Sequence, residues 1–266
     1  MKTFLGILLA CSVPVSAWAT SCGTRLLYNL HTQTQNVYPD SVFWLEISSR
    51  PQTEQLDVHN MQFQRLGQRG IGYQPVTNYL NGIAQLRPKK PLQVGLKYTF
   101  TSKTPLEKLQ YEWQKGVIET VDLEWVEAAQ RVNSFTVLPA VSLPLPAWVQ
   151  YPKLHEVSQG ETTVGDAGRI SWKMQANLNV RDYLVYVNLS RKADFSEAQG
   201  FLTDVGYGQT VNVSFDPCQT RKERFDFKYG DTIWAKFDLI SHNGIIVPWQ
   251  GEPLRFELQP LEPARQ

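Results

Sequence analysis

The sequence predicts an all-β protein: two antiparallel β-sandwich domains in tandem behind a signal peptide. Three observations carry that prediction. Apolar and polar residues alternate with period two in row after row. Helical periodicity is scarce. A cluster of prolines near the middle divides the chain into two pieces of ordinary domain size.

Met1-Lys2 supplies a charge, Phe4 to Cys11 (FLGILLAC) a short apolar run, and Ala17 and Ala19 the small residues of a cleavage site. Residues 1–19 are therefore expected to leave as a secretory signal. The run is far shorter than the roughly 20 apolar residues of a membrane span, so no transmembrane segment is expected. Cleavage just before Cys22, with lipid on that cysteine, is the alternative. Ala19 stands where a lipoprotein signal usually carries leucine, which weakens it. Cys11 departs with the signal, leaving Cys22 and Cys218. In an oxidising compartment two such cysteines are expected to pair. The bridge would close a loop of about 197 residues, which the chain-entropy model values at about 4–5 kcal/mol. A lipid on Cys22 would leave Cys218 odd, so pairing favours cleavage after Ala19. The expected location is periplasmic or secreted, with an outer-membrane lipoprotein held through Cys22 as the alternative.

The full chain has 26 Lys+Arg against 25 Asp+Glu; the signal removes only Lys2. Such neutrality gives no electrostatic footprint for nucleic acid.

In the first domain, residues 20–138, the alternating rows are Phe43-Leu45-Ile47 and Val94-Leu96-Tyr98-Phe100. Leu106, Leu109 and Trp113 fit a helix, but Leu109-Tyr111-Trp113 also alternate, and the strand reading is preferred. Leu138 to Pro152 (LPAVSLPLPAWVQYP) holds Pro139, Pro144, Pro146 and Pro152, and residues 139–152 are read as a stiff linker. In the second domain, residues 153–259, the rows are Ile170-Trp172-Met174-Ala176-Leu178, Val211-Val213-Phe215, Ile233-Ala235-Phe237-Leu239 and Leu254-Phe256-Leu258. Tyr183 to Leu189 (YLVYVNL) is apolar on both faces and is read as a central strand. Asp194 is placed to cap a short helical turn over 194–198. Asn81-Gly82, Asn243-Gly244 and Gly206-Tyr207-Gly208 supply turns. Residues 260–266 are expected to be a disordered tail.

Leu92, Gly95 and Tyr98, after the proline-bearing corner at Arg87-Pro88, make a Leu-x-x-Gly-x-x-Tyr turn. This resembles bacterial immunoglobulin-like domains. Gly95 permits the tight turn, and Tyr98 can bury its ring while its hydroxyl bonds a corner backbone group. Tyr229 to Phe237 (YGDTIWAKF) followed by Asn243-Gly244 resembles the late hairpin of a fibronectin type III-like domain, although Trp234 follows Gly230 by four residues instead of three. The resemblance implies immunoglobulin/fibronectin III-like folds and carries no catalytic residue with it.

The histidines His31, His59, His155 and His242 have no ligand spacing, and no Cys-x-x-Cys, Gly-x-Ser-x-Gly or phosphate-cradling loop occurs. No cofactor or metal is expected. Glu119, Asp122, Glu124 and Glu127 could bind calcium or serve a glycosidase, but read more simply as a solvated strand face. Tryptophan is abundant, with eight in the chain. Trp44 and Trp172 lie on strands and are assigned to cores. Trp148, Trp249 and Trp113 are the candidate contacts for a ligand or partner; an interdomain plug is the plainer role for Trp148 and Trp249. The expected function is that of a non-catalytic exported module that binds a protein partner or envelope component. Carbohydrate binding on exposed tryptophans is the alternative, and a hydrolase the weaker one.

Overall fold

The computed structural model describes residues 28–31, 35–47, 61–65, 70–80, 83–102, 110–113, 117–120, 133–162, 165–206, 208–215, 227 and 230–258. Among them the chain is all-β, with no helix, as the alternation predicted.

The first half contributes β1 (Tyr28–Asn29), β2 (Phe43–Ile47), β3 (Met61–Arg65), β4 (Tyr73–Leu80), β5 (Ile83–Pro88), β6 (Lys97–Ser102), β7 (Gln110–Trp113), β8 (Val117–Thr120) and β9 (Ser134–Thr136). The second contributes β10 (Trp148–Thr162), β11 (Gly165–Ala176), β12 (Tyr183–Ser190), β13 (Gln199–Thr203), β14 (Thr210–Phe215), β15 (Thr232–Ser241), β16 (Ile246–Val247) and β17 (Leu254–Glu257). The strand β10 starts at Trp148, inside the stretch read as linker.

All sheet pairings between these strands are antiparallel. One sheet runs β1-β2-β5-β4 and a second β3-β6-β9; β7 and β8 pair as a hairpin. Between the two sheets lies an aromatic core. Phe63 sits 4.7 Å from Phe43 and 4.9 Å from Phe100, ring centre to ring centre. In the second half, β10-β11-β14 faces β13-β12-β15-β16, where β17 also pairs with β15. Their shared core is built from Trp172, Val185, Val187, Val211 and Phe237, all fully buried. Trp172 meets Phe237 edge-on at 5.2 Å, 75° apart.

A third apolar cluster joins the halves. Phe43 and Leu45 point into the first core, so Trp44 between them points the other way. On β12, Tyr183, Val185 and Val187 face the second core while Leu184 and Tyr186 face outward. Trp44 and Ile83 pack there against Leu184, Tyr186, Leu202 and Ile240. The four sheets thus form one stack: β3-β6-β9, then β1-β2-β5-β4, then β13-β12-β15-β16, then β10-β11-β14. The run YLVYVNL is apolar on both faces because both faces are covered, and β12 is also central within its sheet, as predicted.

Two local expectations shift. Val94 is exposed at the Val94–Gly95 turn and takes no part in the β6 row. Residues 194–198 make tight turns, not a helical one: the Asp194 carboxylate accepts the Ser196 N–H at 2.9 Å, and Phe195 has φ 59°. The Tyr98 corner takes the expected geometry. Its ring is buried, its hydroxyl accepts the Gln93 N–H at 3.2 Å, and Gly95 has φ 77°.

Candidate functional site

Between the halves, residues 138–147 join no sheet and form no helix or turn. The prolines explain this: each fixes its own φ and drives the preceding residue away from the helical region. Both ends of this strap are fastened. The Leu138 N–H donates to the Val37 carbonyl at 2.8 Å. At the far end, Ala147 N–H donates to Asn177 Oδ1 (2.8 Å), Asn177 N–H to the Ala147 carbonyl (3.0 Å), and Asn177 Nδ2 to the Leu145 carbonyl (3.2 Å).

Among the described residues, eight large apolar side chains are exposed, and six of them fall between 138 and 154: Leu138, Val141, Leu145, Val149, Tyr151 and Leu154. Leu138 to Pro152 also contains no charged residue, in a chain that is 19% charged. The strap and the start of β10 therefore gather exposed apolar side chains into a strip along the chain, with Lys153 its one charged residue. β10 is an edge strand, and its first half is irregular: its register with β11 shifts at three places between Trp148 and Glu156, and Pro152 interrupts its donors.

Behind the strip, Trp148 and Trp249 pack against the second core. Their rings meet edge to face at 5.7 Å and 81°, and Tyr151 stands at 5.1 Å and 79° to Trp249. Both indole N–H groups are buried without an acceptor among the described residues. These two tryptophans form a packed corner; perpendicular rings give no flat platform for a sugar. They plug a corner of the second core and are not among the described residues of the apolar cluster between the halves. The corner is held by Asp238, whose Oδ1 accepts the Trp249 N–H at 2.9 Å. Burial pushes the Asp238 carboxyl up, opposed by that bond and by Lys236. Gly251 is required beneath the indole: a Cβ there would lie 2.7 Å from Trp249 Cζ2. Trp113 ends β7; its side chain, together with Cys22, Cys218, Asp122, Glu124 and Glu127, lies outside the described residues. Glu119 sits on β8. Among the described residues no three His, Cys, Asp or Glu groups are placed to hold one metal ion, and no helix is long and apolar enough to cross a membrane.

The seam carries a polar clasp that sequence reasoning missed. Asp182 Oδ1 accepts the Tyr38 hydroxyl at 2.7 Å and Asn36 Nδ2 at 2.8 Å. The Asn36 N–H donates to the Arg181 carbonyl at 2.7 Å, and the Val42 N–H to the His242 carbonyl at 2.8 Å. Gln35 Nε2 donates to Asp204 Oδ1 at 3.2 Å. His242 stands edge-on to Tyr38 at 5.1 Å, with Nε2 3.5 Å from Asp40 Oδ1. Burial, then the bond to Asp182, pushes the Tyr38 phenol up to about 12; burial alone does the same to Tyr183. A cavity of about 30 Å³, lined in part by His31, Ser41, Trp44, Tyr183, Ser241 and His242, sits within the seam. That is room for a water-sized occupant. The available signal was parity: Phe43-Trp44-Leu45, like YLVYVNL, is apolar on both faces.

No family model matches the chain, and no curated protein matches it. Among solved structures it is similar to a GBS pullulanase, SAP, in complex with maltotetraose, at 6% identity and TM-score 0.22, covering 80% of this chain and 22% of that one. It is similar to a β-1,2-glucanase from Parabacteroides distasonis at 12% identity and TM-score 0.33, covering 83% and 31%. A type I pullulanase from Bacillus subtilis complexed with maltose follows at 7% identity and TM-score 0.20, covering 84% and 24%. The chain thus spans less than a third of the length of each. Likeness at this level assigns neither a family nor an activity.

Proposed function

We propose that the chain is a non-catalytic binding protein of the bacterial envelope, and that a protein partner docks on the strip from Leu138 to Leu154. One observation carries this reading: among the described residues, six of the eight exposed large apolar side chains fall between Leu138 and Leu154, a stretch whose one charged residue is Lys153. Scattered apolar residues on a surface need no explanation, but a contiguous patch marks an interaction site. The strap is fastened at both ends, so a partner meets a pre-ordered segment and ordering it costs little. The proposal includes export with cleavage after Ala19 and pairing of Cys22 with Cys218.

The test places a photo-crosslinking residue at Val149 in cells, with Ile245, an exposed apolar residue outside the strip, as the control. The expected result is a discrete protein adduct at 149 and none at 245. Adducts to glycan at 149, or equal protein adducts at both positions, overturn the reading.

A further inference from the structure

Trp44 is only 2% exposed although it points away from the core of its own half. Its cover comes from the outer face of β12, β13 and β15. Around this apolar centre, contacts reach across from three separate segments. Residues 35–42 engage Arg181, Asp182, Asp204 and His242. From β5, Gln85 Nε2 donates to the Gly244 carbonyl at 3.3 Å. From the turn after β15, Gly244 packs so closely on Val42 that an added Cβ would lie 2.9 Å from Val42 Cγ1. An apolar centre with a hydrogen-bonded rim is the anatomy of a stable protein interface. Among the described residues, the strap's hydrogen bonds lie at Leu138 at one end and at Leu145 and Ala147 at the other.

We propose that the seam is an interface in its own right: residues 28–137 and 148–258 stay associated in the same arrangement after the strap is severed. This stands apart from the docking reading and does not depend on it. The strap then supplies continuity, and the seam supplies the geometry.

A recognition sequence for a site-specific protease, inserted between Ala140 and Val141 of the full chain, tests this. The cut protein is kept in reductant, so that a Cys22–Cys218 bridge cannot join the pieces, and is sized by light scattering at roughly 1 μM, where a stable interface should persist. One species of intact mass is expected; two species of about half that mass overturn the proposal. Leu202→Asn alters the seam face of β13 without entering the second core and should weaken association of the cut pieces roughly tenfold or more. Its uncut form should keep the circular dichroism of the parent. Tyr38→Phe removes one rim hydrogen bond and no core atom, and should weaken association in the same direction. Association unchanged in both variants would place the contact elsewhere and equally overturn the proposal.

Discussion

Gly244 does two jobs that the sequence shows only as one. Asn243-Gly244 reads as a turn signal, and the φ of 83° fits that. The structure adds a neighbour: a Cβ at 244 would lie 2.7 Å from Gln85 Nε2 and 2.9 Å from Val42 Cγ1. Gly244→Ala therefore meets both backbone strain and crowding and should destabilise by about 1–3 kcal/mol. A urea midpoint unchanged from the parent would refute the contact. Tyr38 and Tyr183 have phenols raised to about 12. Their unfolded value is near 10, so their contribution is complete below about pH 10 and is lost as the pH climbs towards about 12. Ultraviolet titration should show delayed ionisation of two phenols, one of them missing in Tyr38→Phe. That variant should also cost about 1.5–3 kcal/mol, because it takes a donor from a buried carboxylate. Asp238 runs in the acidic direction. Its raised carboxyl favours the protonated form when folded, so stability rises as the pH falls through its titration and is lost as the pH rises. Asp238→Asn keeps an acceptor for the Trp249 N–H and removes the charge. It should flatten the acid limb of a stability–pH curve without loss at neutral pH. A neutral-pH loss above about 1 kcal/mol would show that the charge itself supports the loop.

Two strands of similar appearance in sequence behave oppositely. Both faces of β12 are covered, Val185 by the second core and Leu184 by the seam. Leu184→Ser and Val185→Ser should therefore both destabilise, each by about 2 kcal/mol or more, since either leaves a cavity and an added hydroxyl. On β10, Val149 is 62% exposed, so Val149→Ser should fall within about 0.5 kcal/mol of the parent. Thermal or urea unfolding of the three variants decides this, and equal effects at 149 and 184 would contradict the layer assignment. The rows Ile170-Trp172-Met174-Ala176 and Ile233-Ala235-Phe237-Leu239 were legible because their core-facing residues keep a strict period of two. The Trp148–Trp249 corner was not. Indoles 101 residues apart in sequence carry no sign of meeting, and aromatic abundance alone does not tell a platform from a plug.

For the whole molecule, the halves pack on one another through Trp44 and its neighbours. The proposed Cys22–Cys218 bridge would add a covalent tie between them. The mature protein should then show no free thiol when denatured without reductant; two titratable thiols would remove the bridge, and one thiol with a lipid-shifted N-terminal mass would restore the lipoprotein alternative.

The sequence by itself determined the all-β class and the Tyr98 corner, because alternation and φ-positive glycines act within a few residues of where they are written. Only the tertiary structure decided that Trp44 faces the other half, that Trp148 and Trp249 close a corner, and that exposed apolar side chains gather on the strap and the start of β10. Those outcomes depend on which sheet covers which face, and period two states that a strand has two faces without saying what lies against either.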